Sequence, residues 1–423
     1  MIVTLLVLFS LVALFWAVLY VLPSQRKMGR FLFNHDFSPD SLNGLFRRDD
    51  VVERFAGDPE TWPSVTVIVP GRNEGHVLAE TLGSICAMEY PNYRVIFVDD
   101  QSTDDTKGVC DAMAVKYPQL TVIHNTTPPP AGWIGKTWAV HQAQSHIHNA
   151  SADYLLFADS DLVFHPACLK QMMRLALHRR TDIASLLPAV RYETLGELLG
   201  MLPAIVLISI WRPLSVVNNP RSPKALVAGG FILAKRTSYE AIGGHEAVRG
   251  QMIEDIALGL LAKSKGLRVF TAGTHDLMTA RMYEGWGDTY RGLKKNTYAG
   301  ANYNPFMILP VFLFLLLGGA LVLLYPLIGA FYWITMPSLL TLALLIAGVL
   351  AYTFLHAAAR RAAVMLSIKK RTAWFVSFGF AFYLLIFVMS VIDYYRGGNM
   401  WAGRRISNDH LQTLADTESP PKP

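Results

Sequence analysis

Two carboxylates one residue apart, Asp159 and Asp161, follow directly on the apolar run Leu155–Ala158. Such a run is typical of a buried parallel strand, and open α/β sheets bind ligands beyond the carboxyl ends of their strands. In extended backbone, residues i and i+2 point to the same side, so the pair could hold a hard divalent cation through its oxygens. The triplet is also typical of a polar turn or a helix N-cap, and in isolation the turn is the commoner interpretation.

The first two predicted strands also end in polar or turn-forming residues. Pro70 and Gly71 turn the chain after the first strand. Asn73 and Glu74 come next, where they could bond the base of a ligand, although an ordinary turn accounts for them. Asp100 ends the second strand, where a carboxylate can accept hydrogen bonds from a ribose or a base edge.

The loops before the next two predicted helices carry an acid and a lysine. Asp104 is predicted to be a helix N-cap. The run Gly132–Thr137 is similar to the end of a phosphate-binding P-loop, but Pro130 stands where the first glycine is required, so a Walker A site is excluded. Lys136, in a glycine-bracketed loop before a helix, could still contact a phosphate.

Glycines and carboxylates form two later groups. Gly229, Gly230 and Phe231 precede an apolar strand and are typical of a hairpin turn. Glu254 and Asp255 open a predicted helix, a position at which the helix dipole alone favours acidic residues. The alternative hypothesis makes Asp255 a general base.

A basic helix is predicted within Arg281–Asn296, where Trp286 is followed by Arg291, Lys294 and Lys295. The three basic residues are at i, i+3 and i+4 and therefore share one helix face. Two interpretations remain open. The helix lies at a membrane interface ahead of a span, or its basic face is a clamp for a diphosphate.

Strands alternate with helices through the middle of the chain, which predicts βαβ units, a mainly parallel sheet and an α/β fold. The predicted strands are Val65–Pro70, Arg94–Asp100, Leu120–Asn125, Tyr154–Asp161 and Asp182–Pro188. The predicted helices are Val77–Met88, Asp104–Tyr117, Thr137–Asn149 and Pro166–Arg179. Most of the polar groups above therefore fall at the carboxyl ends of strands or at the starts of helices.

Hydrophobic residues make up 52% of the 423 residues and charged residues 17%, below the ~25% typical of soluble domains. The deficit of charge is concentrated at the N-terminus and after residue 305, which indicates a membrane protein with a soluble middle. The net charge of +6 lies partly beside the apolar segments, so membrane orientation explains it better than nucleic acid does. Cys86, Cys110 and Cys168 have no zinc-site spacing and indicate a reducing compartment.

Residues 1–22 are apolar and long enough to cross a bilayer, and Arg26, Lys27 and Arg30 follow them. The positive-inside rule therefore predicts an uncleaved anchor with its N-terminus outside and residue 23 onward in the cytoplasm. Residues 23–61 are predicted to be a linker, and residues 62–300 a soluble domain.

Four more apolar stretches follow. Leu198–Ile210 is short for a span, so an interfacial segment at about residues 196–216 and a buried core helix are both open. The stretches 305–334, 338–357 and 374–394 give two to three spans within residues 305–396. The basic residues between Arg360 and Arg371 indicate a cytoplasmic loop. If the soluble domain and this loop are both cytoplasmic, four spans would leave the tail, residues 397–423, outside with its arginines. The predicted number of spans is therefore three or four.

The order of these motifs over residues 62–300 resembles a family-2 glycosyltransferase of the GT-A type. Val67–Pro70 with Asn73 and Glu74 resembles the opening strand of the family, and Asp99–Asp104 resembles its nucleotide-binding aspartate motif. Gly135 and Lys136 resemble its Gly-Lys loop, and Asp159–Asp161 resembles its metal triplet. Gly229 and Gly230 resemble its acceptor-side glycines, and Glu254 and Asp255 resemble the pair that supplies the base.

The resemblance implies a GT-A fold and an inverting enzyme that moves a sugar from a nucleotide diphosphate sugar, with a UDP-sugar expected, to a membrane lipid hydroxyl. It implies a divalent cation, Mg²⁺ or Mn²⁺, on Asp159 and Asp161, and Asp255 as the catalytic base. The implied donor-binding residues are Pro70, Asn73, Glu74, Asp100, Lys136 and Asp159. The implied acceptor-side residues are Gly229, Gly230, Phe231, Glu254 and Trp286, and the implied diphosphate clamp is Arg291, Lys294 and Lys295.

One anchor in front and several spans behind are similar to the ceramide and carotenoid glycosyltransferases. Pro128–Lys136 and Met282–Trp286 are most similar to the hopanoid-biosynthesis-associated glycosyltransferases of bacteria. That subgroup implies a hopanoid acceptor and a cytoplasmic catalytic domain at the bacterial inner membrane. A carotenoid or polyprenyl-phosphate acceptor, a polysaccharide synthase and a non-catalytic membrane partner are the alternatives. Many relatives carry Gln-x-x-Arg-Trp after the base, whereas this chain has Tyr290–Lys295 there, which disfavours the polymer synthase.

Overall fold

The structure of the protein, a computed structural model, describes residues 1–21, 58–143, 152–273, 277–365, 370–397, 400–401 and 404–405. Predictions for most of the linker 23–61, for most of the tail 397–423 and for residues 144–149 of one helix fall outside these residues. The chain divides into two compact units. The sheet unit contains the described residues of Phe37–Arg191 and Val216–Met282, and the helical unit contains the first helix, Tyr192–Ser215 and Tyr283–Arg396.

The regular elements are numbered in chain order. The strands are β1 Val65–Gly71, β2 Tyr93–Asp100, β3 Leu120–Asn125, β4 Tyr154–Phe157, β5 Leu162–Phe164, β6 Ile183–Leu187, β7 Ala189–Val190, β8 Ile232–Lys235, β9 Val269–Gly273, β10 Met278–Ala280, β11 Met400–Trp401 and β12 Arg404–Arg405. The helices are α1 Ile2–Val21, α2 Leu78–Cys86, α3 Thr106–Lys116, α4 Gly135–Gln142, α5 Cys168–Arg179, α6 Leu195–Trp211, α7 Leu214–Val217, α8 Arg236–Ala241, α9 Glu254–Ser264, α10 Gly285–Gly300, α11 Ile308–Leu317, α12 Tyr325–Thr335, α13 Leu339–Met365 and α14 Val376–Tyr395.

The sheet unit is built on a seven-stranded sheet with the order β3-β2-β1-β4-β8-β6-β9. All of these strands run in one direction except β8, which is antiparallel to β4 and β6. A smaller sheet has the order β5-β10-β7. Each predicted strand is present, and the prediction of an α/β fold with a mainly parallel sheet is confirmed.

Different helices cover the two faces of the large sheet, because successive side chains of a strand point to opposite faces. On β2, Phe97 lies in a buried cluster that includes residues of α2 and α3. Its neighbour Val98 lies in a second cluster that includes residues of α4 and α9. The alternation continues to the end of β2, so Asp99 belongs to the α3 face and Asp100 to the α4 face.

Two local predictions are corrected. The strand predicted over Tyr154–Asp161 ends at Phe157, and the chain turns at Ser160 and Asp161 before β5 joins the smaller sheet. The extended geometry that would align Asp159 with Asp161 therefore stops short of Asp161. Residues 229–231 are not a hairpin turn, because β8 pairs with β4 and β6, which are distant from it in the chain.

In the helical unit, α6 approaches two other helices closely. A Cβ atom on Gly200 would lie 2.3 Å from Cγ2 of Thr289 on α10. A Cβ atom on Gly379 of α14 would lie 2.9 Å from the carbonyl oxygen of Leu199. Such glycine contacts let helix backbones pack tightly. Most of α6 is buried in this way, while Trp211 at its end is exposed.

The predicted stretch 305–334 is not one continuous helix. Helices α11 and α12 are separated by two glycines and the 3₁₀ segment Ala320–Leu324. Two carbonyl groups at the break have side-chain donors: the Trp16 indole N–H donates to Gly318 at 2.8 Å, and the Tyr325 hydroxyl donates to Leu317 at 2.5 Å. A helix break in hydrocarbon needs such partners, because water is absent there.

Four segments of the described chain are long and apolar enough to cross a membrane. They are Ile2–Leu19, Pro305–Thr335, Leu339–Arg360 and Lys370–Tyr395. The predicted anchor and all three predicted C-terminal stretches overlap with them. Helix α6 is apolar but shorter. The prediction of apolar helices on both sides of the α/β domain is confirmed.

Candidate active site

Lys136 is the centre of a charged cluster in the sheet unit. Its Nζ atom lies 2.6 Å from Oδ1 of Asp159 and 2.7 Å from Oε1 of Glu254. The three side chains come from the start of α4, the loop after β4 and the start of α9. Thr137, next to the lysine, fixes the start of α4 by donating its hydroxyl to the carbonyls of Ile134 and Arg249, each at 2.8 Å. The fold thus brings together residues that the sequence places far apart.

Asp255 is held beside this cluster by backbone groups. Its Oδ2 accepts the N–H of Gly229 at 2.7 Å, and its Oδ1 accepts the N–H of Ile256 at 2.7 Å. A Cβ atom on Gly229 would lie only 2.8 Å from Nζ of Lys136 and 3.3 Å from Oδ2 of Asp255. A side chain at position 229 would therefore displace the Lys136 ammonium group or crowd the carboxylate.

The charges of the cluster set the proton affinities of its members. Burial raises the pKa of Asp255 to about 7, with Glu254 adding to the rise and Lys136 opposing it. Burial alone would lower the pKa of Lys136, but Asp159, Glu254 and Asp255 outweigh it and hold that pKa well above its usual value. The lysine is therefore a permanent cation, and Asp255 can take up a proton near neutral pH.

A buried histidine next to the cluster was missed in the sequence. His245 is 2% exposed, and its Nδ1 lies 2.8 Å from the Tyr239 hydroxyl. Burial and the charge of Lys136 lower the pKa of His245 to about 3, so the ring stays neutral. The preceding Gly244 has φ of 55°, and a Cβ atom there would meet the Tyr239 ring at 2.5 Å. The glycine pair before this histidine is the signal that could have indicated it.

The loops after β1 and β2 are bonded to each other. Oδ1 of Asn73 accepts the N–H of Thr103 at 2.7 Å, and the N–H of Asn73 donates to Oγ of Ser102 at 2.9 Å. Asn73 and Gln101 both have positive φ, at 58° and 57°. The side chain of Asn73 therefore supports the second loop. Asp104 accepts the N–H of Thr106 at 3.0 Å, but the N-cap of α3 is Asp105, so the N-cap predicted at Asp104 is one residue too early.

Asp100, the last residue of β2, is 1% exposed. Its Oδ1 accepts an N–H of the Asn125 amide at 2.9 Å. The Arg72 guanidinium donates to the carbonyls of Asp100 and Gln101, at 2.5 and 2.7 Å. Pro70 is buried within β1. These contacts fix the carboxyl edge of β1 and β2 before any ligand binds.

The donors at Asp159 and Asp161 fit a hard divalent cation by their chemistry. Carboxylate oxygens suit Mg²⁺ and Mn²⁺, which take further ligands from phosphate and water. The carboxylate of Asp159 is one-third exposed and already faces a cation, Lys136. Neither aspartate belongs to a group of three protein ligands within the described residues. The one such group there is Cys110, Asp111 and His124.

Trp286 and the predicted clamp residues lie in the helical unit. Trp286 of α10 packs edge-on against Phe382, with ring centroids 5.0 Å apart. Lys294 forms an ion pair with Asp393 of α14, so its charge is already balanced. Arg291 is exposed, and its nearest acidic partner is Asp288 at 3.7 Å. The clamp and the acceptor-side tryptophan stay predictions.

Residues 66–241 match the sequence profile of the family described as Glycosyl transferase family 2. The match and the strand order together confirm the predicted GT-A class of the sheet unit. The chain is also similar to 4,4'-diaponeurosporenoate glycosyltransferase of Staphylococcus aureus strains USA300 and MRSA252. Identity to each is 26% over 241 residues, covering 56% of this chain and 62% of the relative. The chain thus matches less than two thirds of the length of these relatives.

Solved structures similar to the chain include two transferases. A mannosyltransferase from Pyrobaculum calidifontis, in complex with GDP-Man and Mn²⁺, is 16% identical with a TM-score of 0.46, covering 91% of this chain and 98% of that one. S. aureus TarS in complex with UDP-GlcNAc is 15% identical with a TM-score of 0.38, covering 79% of this chain and 92% of that one. Because both TM-scores are below 0.5, neither likeness bears on the function.

Proposed function

We propose that the protein is an inverting glycosyltransferase that moves a sugar from a nucleotide diphosphate sugar to a hydroxyl of a membrane lipid. The observation that carries the proposal is the cluster of Lys136, Asp159 and Asp255. A permanent cation stands there beside a carboxylate whose pKa is about 7. The family match over residues 66–241 supports the reaction class.

On the donor side, the protein offers positive charge to a diphosphate. Lys136 neutralises the charge that develops as the nucleoside diphosphate departs. Asp159 and Asp161 would hold Mg²⁺ or Mn²⁺, which when bound supplies Lewis-acid stabilisation of the same leaving group. Asp100 and the paired loops after β1 and β2 hold the base and ribose, and a UDP-sugar is the donor we expect.

On the acceptor side, Asp255 takes the proton from the attacking hydroxyl. The N–H groups of Gly229 and Ile256 hold its two oxygens in place, so the base keeps one orientation. Attack from the side opposite the leaving diphosphate inverts the anomeric carbon. Gly230, Phe231 and Glu254 are the neighbours that we assign to the acceptor side, together with Trp286 of α10.

We assign the acceptor to the membrane, because four segments long and apolar enough to span it accompany the catalytic domain. A hopanoid is the first candidate, on the resemblance of Pro128–Lys136 and Met282–Trp286. A carotenoid is the second, because the S. aureus relatives are named for a carotenoid-type substrate, 4,4'-diaponeurosporenoate. The sheet unit would then lie on the cytoplasmic side of a bacterial inner membrane.

The test uses the purified full chain in detergent with MgCl₂ or MnCl₂. It is incubated with UDP-glucose, UDP-N-acetylglucosamine or GDP-mannose and with hopanoid or carotenoid alcohols, and the lipids are analysed by mass spectrometry. A glycolipid heavier than its acceptor by one sugar residue, formed by the wild type and not by Asp255→Asn, supports the proposal. Formation of a sugar polymer would favour a polysaccharide synthase. No transfer to any lipid, with no glycolipid lost from a deletion strain, would overturn the proposal.

A further inference from the structure

The last two residues of β3 hold the two aspartates that end β2. In the parallel register His124 lies opposite Asp99, and Asn125 lies opposite Asp100. Nδ1 of His124 is 3.1 Å from Oδ2 of Asp99. The Asn125 amide donates to Oδ1 of Asp100 at 2.9 Å. Each aspartate therefore has its own partner on β3, on its own face of the sheet.

His124 lies between two carboxylates. Its other ring nitrogen, Nε2, is 2.9 Å from Oδ1 of Asp111 on α3. Both nitrogens can donate only when the ring is protonated, so this arrangement favours the imidazolium. Burial alone would lower the pKa of His124, but its hydrogen bonds to Asp99 and Asp111 outweigh burial and raise that pKa above the usual value. The facing helix also carries the buried thiol of Cys110, whose Sγ atom lies within 4.8 Å of a ring nitrogen of His124.

Asp99 connects this histidine to the loop after β2. Its Oδ1 accepts the N–H of Ser102 at 3.1 Å, and Oγ of Ser102 accepts the N–H of Asn73 from the loop after β1. Asp99 faces α3, away from Asp100. It therefore acts on the shape of the two loops rather than on a ligand.

A metal site is the competing interpretation of this group. Ligand atoms of Cys110, Asp111 and His124 lie within 4.8 Å of one another. However, both nitrogens of His124 already contact carboxylates. The thiol of Cys110 donates to the carbonyl of Lys107 at 3.2 Å, and burial raises its pKa to about 12. A thiol this hard to ionise is a poor metal ligand, so the ion-pair interpretation is favoured.

We propose that His124 is a positioning residue that acts through Asp99 to hold the loops around the donor nucleotide, and that loss of its proton weakens donor binding. The inference rests on the proposed function, because it assigns the nucleotide to the site at Asp100. The ion pairs of protonated His124 with Asp99 and Asp111 are present at low pH and are lost as the pH rises through the raised pKa of His124. Donor affinity therefore falls on the alkaline side, whereas ionisation of a catalytic base acts on the acidic side.

The experiment measures the dissociation constant of UDP, and of GDP, for the full chain in detergent from pH 5.5 to 9. The donor KM and kcat are measured over the same range. We expect His124→Gln to weaken nucleotide binding about tenfold at pH 6, the scale of a weakened charge-assisted hydrogen bond, with little change in kcat. The fall in affinity on the alkaline side should disappear in this variant. Asp111→Asn should move that dependence to lower pH, because one of the two stabilising carboxylates is gone. His178→Gln, at the far end of α5, is the matched control.

Wild-type affinity with an unchanged pH profile in His124→Gln would overturn the proposal, as would a loss confined to kcat. It would also fail if Asp111→Asn left the pH profile of binding in place, or if the wild type bound neither UDP nor GDP. Binding that follows the predicted profile without transfer to any lipid would remove the proposed function and leave the role of His124 standing.

Discussion

Asp255 combines two properties that oppose each other at the scale of a single residue. Two backbone N–H groups hydrogen-bond its carboxylate, which favours the charged form. Burial and Glu254 nevertheless raise its pKa to about 7. A carboxylate that is fixed in orientation and protonates near neutral pH suits a general base.

Replacing this base tests its role directly. Asp255→Asn keeps the size of the side chain and removes the acid–base function. We expect sugar transfer to fall roughly 10²- to 10⁴-fold while nucleotide binding is retained. The comparison needs kcat and a nucleotide titration on the same preparation. Wild-type turnover in the variant would show that another group takes the proton.

The pH dependence of kcat carries the same information in the wild type. A base works only when deprotonated, so a pKa of about 7 predicts that kcat rises with pH through about 7 and then levels off. Well below pH 7 the rate should fall about tenfold per pH unit. The measurement uses saturating donor and acceptor, which removes binding effects. A kcat that stayed constant from pH 5.5 to 8 would contradict this assignment.

The carboxylates of Asp159 and Asp161 give a prediction about metal removal. EDTA should stop transfer, and added Mg²⁺ or Mn²⁺ should restore it, because the leaving diphosphate then loses and regains its Lewis acid. Asp159→Asn should raise the cation concentration needed for half-maximal rate. Full activity in excess EDTA would show that Lys136 serves the leaving group without a metal.

At the scale of elements, the helical unit depends on glycines where helices meet. Helix α6 carries Gly196 and Gly200 one turn apart, and both face α10. The 17-residue helix is therefore packed against protein for most of its length. The buried interpretation describes most of this stretch, whereas its far end is exposed, and the interfacial interpretation stays a prediction.

A matched pair of glycine substitutions tests this packing. Gly200→Ala would place a Cβ atom 2.3 Å from Thr289. We expect it to destabilise the protein by about 1–3 kcal/mol, the cost of overpacking. Gly300→Ala, at the end of α10 with no atom within 4 Å of the added Cβ, should be neutral. Thermal unfolding in detergent compares the two, and equal melting temperatures would refute the close approach.

At the scale of the whole molecule, the charged residues of α10 indicate where the end of α14 lies relative to the membrane. Lys294 pairs with Asp393 near the end of α14, and the carbonyl of Lys294 accepts the hydroxyl of Ser390 at 2.6 Å. Helix α10 therefore lies along the last turns of α14. A helix with this many charges stays out of hydrocarbon. The end of α14 should thus be at an aqueous surface.

The charges after α14 predict on which side of the membrane the C-terminus lies. Arg396, Arg404 and Arg405 follow this helix. By the positive-inside rule we expect these arginines, and with them the C-terminus, in the cytoplasm. A C-terminal epitope tag should be digested in inside-out vesicles and protected in intact spheroplasts. The opposite pattern would restore a simple count of four spans.

The sequence by itself determined the elements and the order of the motifs. Apolar runs such as Leu155–Ala158 and Ile183–Leu187 are buried on both faces, and such runs predict strands without knowledge of the partners. Lys136, Asp159, Glu254 and Asp255 were all candidates before the fold was known. Each is a charged residue in the loop after a strand or at the start of a helix, so the sequence alone is enough to mark it as a candidate.

Only the tertiary structure decided how these residues act on one another. The ion pairs of Lys136 join residues that are 23 and 118 positions apart in the chain, and the rise in the pKa of Asp255 depends on its burial in the folded domain. The turn at Ser160, the contacts of His124 with Asp99 and Asp111, and the burial of His245 come from tertiary packing that no spacing rule predicts. Periodicity records which face of an element is buried, whereas distances between elements are set by packing. The charges of the site could therefore be predicted from the sequence, and their coupling could not.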